Sequence, residues 1–216
     1  MLEKMEDFFE KRLADYDRHM RAEIEGAGEF YKYTALQLPQ RAGARVLDLG
    51  CGTGLELEEY FLLNPTARVT GIDLSEAMLQ ALAAKFPCRH LHLICGSYFD
   101  VELGLDRYDA AVSVESLHHF TGERKLFLYR NLLRALKTGG RFVLTDYFAE
   151  SDALEKAYFE ELKRLKQEQG IEGDAFYHYD TPLTLAHEIA VLKEAGFSDV
   201  RVLNAWGATC TLLAER

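Results

Sequence analysis

From residue 44 onward, short apolar segments alternate with segments of helical period, and this alternation constrains the fold more than any other feature of the chain. "ARVLDLG", "ARVTGIDL", "RHLHLICGS", "YDAAVSVES" and "RFVLTDYF" read as five buried strands. "LELEEYFLLN" reads as a helix closed by Asn64-Pro65. "EAMLQALAAKF" reads as a second, capped by Ser75 and ended at Pro87, and "ERKLFLYRNLLRALK" as a third, capped by Thr121 and stopped by Gly139-Gly140. Strands alternating with helices predict a mainly parallel sheet with helices on both faces, an α/β fold. "DVRVLNA" and "ATCTLLAE" lie close enough in sequence to pair as a closing antiparallel hairpin.

Outside this frame, residues 4–24 carry Met5, Phe8, Phe9, Leu13 and Tyr16 at roughly helical spacing, a stripe read as packing, and a short helix is expected over 28–37 before Pro39. A highly charged helix is expected over 151–169, then a loop over 170–180. Thr181-Pro182 is expected to start the next helix, with Thr as cap and Pro in the first turn, running to Gly196.

Composition excludes several classes of function. The 216 residues suit one domain with an added helix or two, and 48% hydrophobic residues are enough for a substantial core. With 25 basic against 35 acidic residues the net charge is -10, so nucleic acid and anionic membranes are repelled, and neither is an expected partner. The four cysteines are scattered without a Cys-x-x-Cys pair, as expected of reduced thiols. No apolar run approaches the roughly 20 residues of a membrane helix. "MLEKMEDFFEKR" lacks a signal-peptide core. A cytoplasmic protein, monomeric or homodimeric, is the expectation.

The first strand runs into Asp48-Leu49-Gly50-Cys51-Gly52-Thr53-Gly54 and then a helix. Glycines there let the turn take positive φ and let a ligand lie against bare backbone, with the free N–H groups of the helix N-terminus facing it. The spacing is Gly-x-Gly-x-Gly with Leu55 next, not the dinucleotide Gly-x-Gly-x-x-Gly, and no Gly-Lys-Ser/Thr follows for a phosphate loop. The second strand ends in "GIDLS". A carboxylate at Asp73 can accept hydrogen bonds from a ribose diol, or merely cap the next helix. Ligands of such sheets bind outside the carboxyl ends of the strands, where all these residues lie.

"VLDLGCGTG", "GIDLS", the "GS" after the third strand and "SLHHF...LLRALKTGGRFVLTDY" together resemble a class I S-adenosylmethionine-dependent methyltransferase of the small-molecule type, in the broad group labelled methyltransferase type 11 or 12. The resemblance covers residues 44–147 and, more loosely, "LKEAGFSDVRVL". It implies a Rossmann-like seven-stranded sheet, mostly parallel, whose last strand is antiparallel. It implies a methyltransferase domain over 41–216 with an insertion at 150–181, and a helical lid over 1–40. By resemblance, Gly50, Gly52 and the backbone around Cys51 hold the methionine part of S-adenosylmethionine, and Asp48 orients its amino group. Asp73 grips the ribose, while Leu74 and Met78 line the adenine. Many members carry an acid after the third strand; here Ser97 stands there, with Tyr98 beside it as a further adenine contact. Glu115 ends the fourth strand, close to the sulfonium.

Methyl transfer from a sulfonium is an in-line displacement that yields S-adenosylhomocysteine, so the protein must chiefly position the acceptor and exclude water. A general base helps if the acceptor is a hydroxyl, acid or amine. Glu115, His118, His119, Asp146 and Tyr147 all lie at strand ends, and His118 or Asp146 is the favoured catalytic group. The acceptor is expected to be a small molecule. "AFYHYD", residues 175–180, is expected to cover the site, with Tyr147, Tyr177 and His178 facing the acceptor. His90 and His92 share a strand face but lack a recognisable third ligand, so no metal is expected. Two other readings remain: a cofactor-binding protein without transferase activity, and an enzyme that modifies the cofactor itself for tRNA wobble modification. A nicotinamide dehydrogenase is the weakest, on glycine spacing.

Overall fold

The computed structural model describes residues 1–173 and 175–216; Asp174, inside the expected insertion, lies outside the described residues. Among the described residues seven strands form one sheet: β1 Arg45–Leu49, β2 Arg68–Asp73, β3 His90–Cys95, β4 Tyr108–Val114, β5 Leu136–Tyr147, β6 Asp199–Trp206 and β7 Thr209–Glu215. Their order is β3-β2-β1-β4-β5-β7-β6. The pairs from β3 through β5 are parallel, whereas β7 is antiparallel to both its neighbours. The expected α/β architecture with an antiparallel last strand is present. The sheet reverses direction of winding between β1 and β4, which makes the carboxyl ends of those two strands the place for a ligand.

Period-two alternation splits the apolar residues into two cores. Leu47, Leu49, Ala111, Phe142, Leu144, Leu212 and Ala214 face α5 (Gly122–Ala135) and α7 (Leu185–Ala195). Val46, Val69, Val112, Val143 and Leu213 face α2 (Ala27–Gln37), α3 (Leu55–Leu63) and α4 (Glu76–Lys85). The caps read at Ser75 and Thr121 are present, accepting from the N–H groups of Met78 and Arg124. Of the two N-terminal helices, α2 belongs to the second core through buried Phe30, Tyr31 and Ala35. In contrast, α1 (Met5–Glu23) lies over the carboxyl ends of the strands, buried only at Met5 and Met20. Among the described residues no helix is long and apolar enough to cross a membrane.

Two elements depart from the sequence reading. Gly139-Gly140 does not end α5, which stops at Ala135; the glycines fall inside β5, where its register against β4 slips between the Tyr108 and Ala110 pairings. A Cβ at Gly140 would stand 2.7 Å from the Lys137 carbonyl oxygen, so the pair serves the bulge. Thr181-Pro182 does not start α7 either. The Thr181 N–H instead donates to the His118 carbonyl, and Thr184 is the cap, accepting from His187 N–H. Both threonines have cap chemistry, but Thr181 is spent on tying the loop to the 3-10 turn Leu117–His119.

The insertion is α6 (Asp152–Glu168) followed by a loop that pairs with the start of α1. The N–H of Met5 donates to the Phe176 carbonyl at 3.0 Å and that of His178 to the Glu3 carbonyl at 3.0 Å. The two segments are thereby joined.

Candidate active site

The glycine turn leaves β1 with Gly50 and Gly52 at φ +74 and +47, values that a side chain would strain. Gly50 donates its N–H to the Ile72 carbonyl, and Ser116 packs so closely on it that a Cβ would overlap its Oγ. Asp73 fastens the turn to the next helix. Its Oδ2 accepts from Gly52 N–H at 2.8 Å and its Oδ1 from Ser75 N–H at 2.9 Å. The capping role and the cleft-facing role are therefore held by one carboxylate, since each oxygen keeps a further lone pair.

Of the residues expected at the cofactor, Gly50, Gly52, Asp73, Leu74, Met78, Tyr98 and Glu115 line one narrow cleft. Asp48, Cys51 and Ser97 do not border it. Asp48 is 1% exposed, and neither carboxylate oxygen has a hydrogen-bond partner among the described residues. Burial, then the charge of neighbouring Glu56, raises its pKa well above the carboxylate range. The Cys51 sulfur fills the space over Gly71 on β2, and the Ser97 hydroxyl accepts from Phe99 N–H at 3.1 Å, holding its own turn.

The cleft retains only about 50 Å³ of open space, because Met5, Phe9 and Tyr16 of α1 lie in its mouth. Beside it is a cavity of about 830 Å³, bordered by Glu115, His118, His119, Tyr147, His178, Asp180, Trp206 and Thr209 together with one side of α1. Phe9, Tyr16, Glu115 and His119 line both spaces and so form the wall between them. The aromatic stripe of α1 is packing in this sense: Phe8 stacks on His178 at 3.4 Å and Phe9 meets Tyr16 edge-on. Its place at the site had no signal in the helical spacing.

Glu115 holds φ +48, uncommon for a residue with a side chain and a kind of strain that concentrates at functional sites. Its Oε1 accepts from the Thr209 hydroxyl at 3.1 Å. Burial, then the negative charge of Asp146, pushes its carboxyl up to about 7.

Asp146 accepts from Leu117 N–H at 2.8 Å, from Tyr147 N–H at 3.0 Å and from His118 Nδ1 at 2.5 Å. It is 1% exposed and does not border the cavity. Its carboxyl is low despite burial because His118 is charged against it. For His118, burial alone would lower the pKa. The Asp146 and Asp180 carboxylates outweigh it and raise the ring to about 10. Asp180, unremarked in sequence, stands 3.5 Å from His118 Nε2 and 3.2 Å from His119 Nδ1. Burial and the charge on His118 lower the pKa of His119, and burial and His119 take His178 down to about 4.

Tyr147 and His178, expected at the acceptor, border the large cavity. Tyr177 does not; it lines a neighbouring groove of about 130 Å³, with Lys166 Nζ 5.6 Å from its ring centre. His90 and His92 are exposed on β3, at the sheet edge and away from the cavity.

A methyltransferase-domain family model matches residues 46–140. The carboxy-S-adenosyl-L-methionine synthase of Helicobacter hepaticus is 29% identical over 199 residues, covering 87% of this chain and 82% of that protein. The structure of a putative O-methyltransferase from Nostoc punctiforme superposes with a TM-score of 0.72 at 19% identity, over 99% of this chain and 61% of that one. Human N-acetylserotonin methyltransferase, solved in complex with S-adenosylmethionine, gives 0.64 at 18% identity over 97% of this chain and 55% of its own. The chain thus spans little more than half of these two longer proteins.

Proposed function

The chain belongs to the class I S-adenosylmethionine-dependent methyltransferases, and from that premise we propose that it methylates a small molecule held in the 830 Å³ cavity. S-adenosylmethionine is the methyl donor of this family. The observation that carries the reading is the shared wall: Glu115 and His119 border both the glycine-turn cleft and the cavity. A methyl group presented at that wall meets an acceptor on its other side.

The cofactor lies with its methionine part against Gly50 and Gly52, its ribose on Asp73 and its adenine between Leu74, Met78 and Tyr98. Asp48, out of the cleft, acts through the turn it lies behind. The acceptor atom attacks the methyl carbon in line, the carbon–sulfur bond breaks, and S-adenosylhomocysteine forms. Glu115 takes the acceptor's proton, since its carboxylate is the one on the shared wall. Asp146 is a positioning residue that fixes the His118 ring, and His118 presents Nε2 to the cavity. Tyr147 and His178 border the acceptor, whereas Tyr177 stands outside it. Opening of α1 precedes cofactor entry, because about 50 Å³ is far below the roughly 300 Å³ of the smallest usual ligand pockets.

A second reading has one observation in its favour. The H. hepaticus relative, named a carboxy-S-adenosyl-L-methionine synthase, matches over most of both chains. On that reading the cavity holds a reagent that modifies the cofactor. Protein incubated with methyl-labelled S-adenosylmethionine and a panel of small hydroxyl, carboxyl and amine acceptors distinguishes the two. Label moving to an acceptor with stoichiometric S-adenosylhomocysteine supports the first. Cofactor heavier by a carboxylate group, recovered from freshly purified protein, supports the second.

A further inference from the structure

We propose that His118 Nε2, His119 Nδ1 and the Asp180 carboxylate bind one divalent transition-metal ion at the floor of the large cavity, through a two-histidine, one-carboxylate donor set suited to zinc or ferrous iron.

Four features of the structure carry this. The first is spacing. Asp180 Oδ1 lies 3.5 Å from His118 Nε2 and 3.2 Å from His119 Nδ1. Donors that each sit about 2.0–2.2 Å from a shared ion are roughly 3–3.6 Å from one another. The second is orientation. His118 turns its other nitrogen to Asp146, which two backbone N–H groups hold in place. A carboxylate behind a ligating histidine sets the tautomer that leaves the outer nitrogen free for metal, and raises its basicity. The third is access. All three donors border the cavity, and the Asp180 side chain is 44% exposed, so an ion has an entry path. The fourth is charge. Asp146, Asp180 and Glu115 gather around two imidazoles whose ring centres are 4.1 Å apart. Three carboxylates gathered in one place attract a dication.

The donors come from one end of the site, leaving the cavity side open for a ligand oxygen. Insofar as this rests on the methyl-transfer reading, it narrows the acceptor to one with a hydroxyl or carboxylate oxygen placed to meet the ion. Such an ion acts there as a Lewis acid, lowering the cost of releasing the acceptor's proton.

Metal binding itself is read without turnover. Full-length protein stripped with a chelator is titrated with zinc chloride by calorimetry, and with cobalt chloride by visible absorption. One equivalent of each is expected. Asp180→Asn and His119→Gln are each expected to weaken binding by about 100-fold or more, the upper end of the loss seen when even an outer partner is removed. A His90→Ala/His92→Ala double variant, on the exposed edge strand, is expected to bind as wild type. Calorimetry with S-adenosylhomocysteine on the same proteins reports a folded cofactor site, so a failed metal site and a failed cofactor assignment look different. Absence of a stoichiometric site, wild-type affinity in both cavity variants, or loss of binding in the edge-strand variant overturns the proposal.

Discussion

Replacing Asp73 by alanine separates its two duties. The carboxylate accepts from Gly52 N–H at 2.8 Å and Ser75 N–H at 2.9 Å, and in the proposed complex also from both ribose hydroxyls. A hydrogen bond to a charged group contributes about 1.5–3 kcal/mol, so the loss of two from the ribose costs about 3–6 kcal/mol, on the order of 10²- to 10⁴-fold in Kd. The folded protein loses less. Two N–H groups lose their acceptor, yet a carboxylate that burial already disfavours is removed with it, and the net cost is about 1–3 kcal/mol. Ser75→Ala is the matched control. It removes the hydroxyl that caps α4 by accepting from Met78 N–H, costing about 0.5–2 kcal/mol of stability, and leaves the ribose contacts in place. The two variants are expected to unfold at similar urea concentrations but to differ by two or more orders of magnitude in calorimetric Kd for S-adenosylhomocysteine. If folded Asp73→Ala binds within about threefold of Ser75→Ala, Asp73 does not hold the ribose and the assignment of the cleft fails.

Three further predictions test the rest of the molecule. Removing residues 1–23 takes Met5, Phe9 and Tyr16 out of the cleft mouth, and the association rate of S-adenosylhomocysteine in stopped flow should rise; an unchanged rate means that α1 does not gate entry. Lys125 and Glu188, both buried, meet at 2.5 Å between α5 and α7, with the Tyr129 hydroxyl on the same carboxylate. Lys125→Met strands Glu188 and should cost about 3–5 kcal/mol in urea unfolding, and adding Glu188→Leu should restore most of it. The Glu155 carboxylate raises the pKa of His187 above its ordinary value. Because the folded-state value is the higher one, this contact stabilises fully below the unfolded pKa, and the contribution fades as pH rises through the folded one. A proton NMR titration should place His187 above the usual imidazole range in wild type and return it there in Glu155→Gln.

The strands were legible because alternation is a local signal: Val46 faces one core and Leu47 the other, whatever lies elsewhere in the chain. The glycine turn and the carboxylate that fastens it were legible for the same reason, since Gly50, Gly52 and Asp73 fall within one strand–helix–strand unit. Signals that admit two outcomes were not. Gly139-Gly140 has the chemistry of a helix stop and also of a bulge, and the pairing of β5 with β4 chose the bulge. Thr181 and Thr184 can both cap, and a hydrogen bond to His118, 63 residues earlier, decided between them.

The histidines show where sequence spacing stops carrying information. His90 and His92, two apart on a strand, must share a face, and so they look like the better ligand pair. The strand that aligns them is β3, at the sheet edge, where both residues are exposed and, among the described residues, no third donor joins them. His118 and His119, adjacent in sequence, would diverge on a strand. On a 3-10 turn, with Asp146 holding the His118 ring, they converge instead, their ring centres 4.1 Å apart. Their third partner, Asp180, is brought in by the loop that Thr181 ties to the same turn. One backbone hydrogen bond, from Thr181 N–H to the His118 carbonyl at 2.9 Å, therefore both displaces the start of α7 and delivers the carboxylate to the imidazoles. Thr181→Pro, which deletes that donor, should move Asp180 away and weaken zinc binding while every proposed ligand remains in the chain.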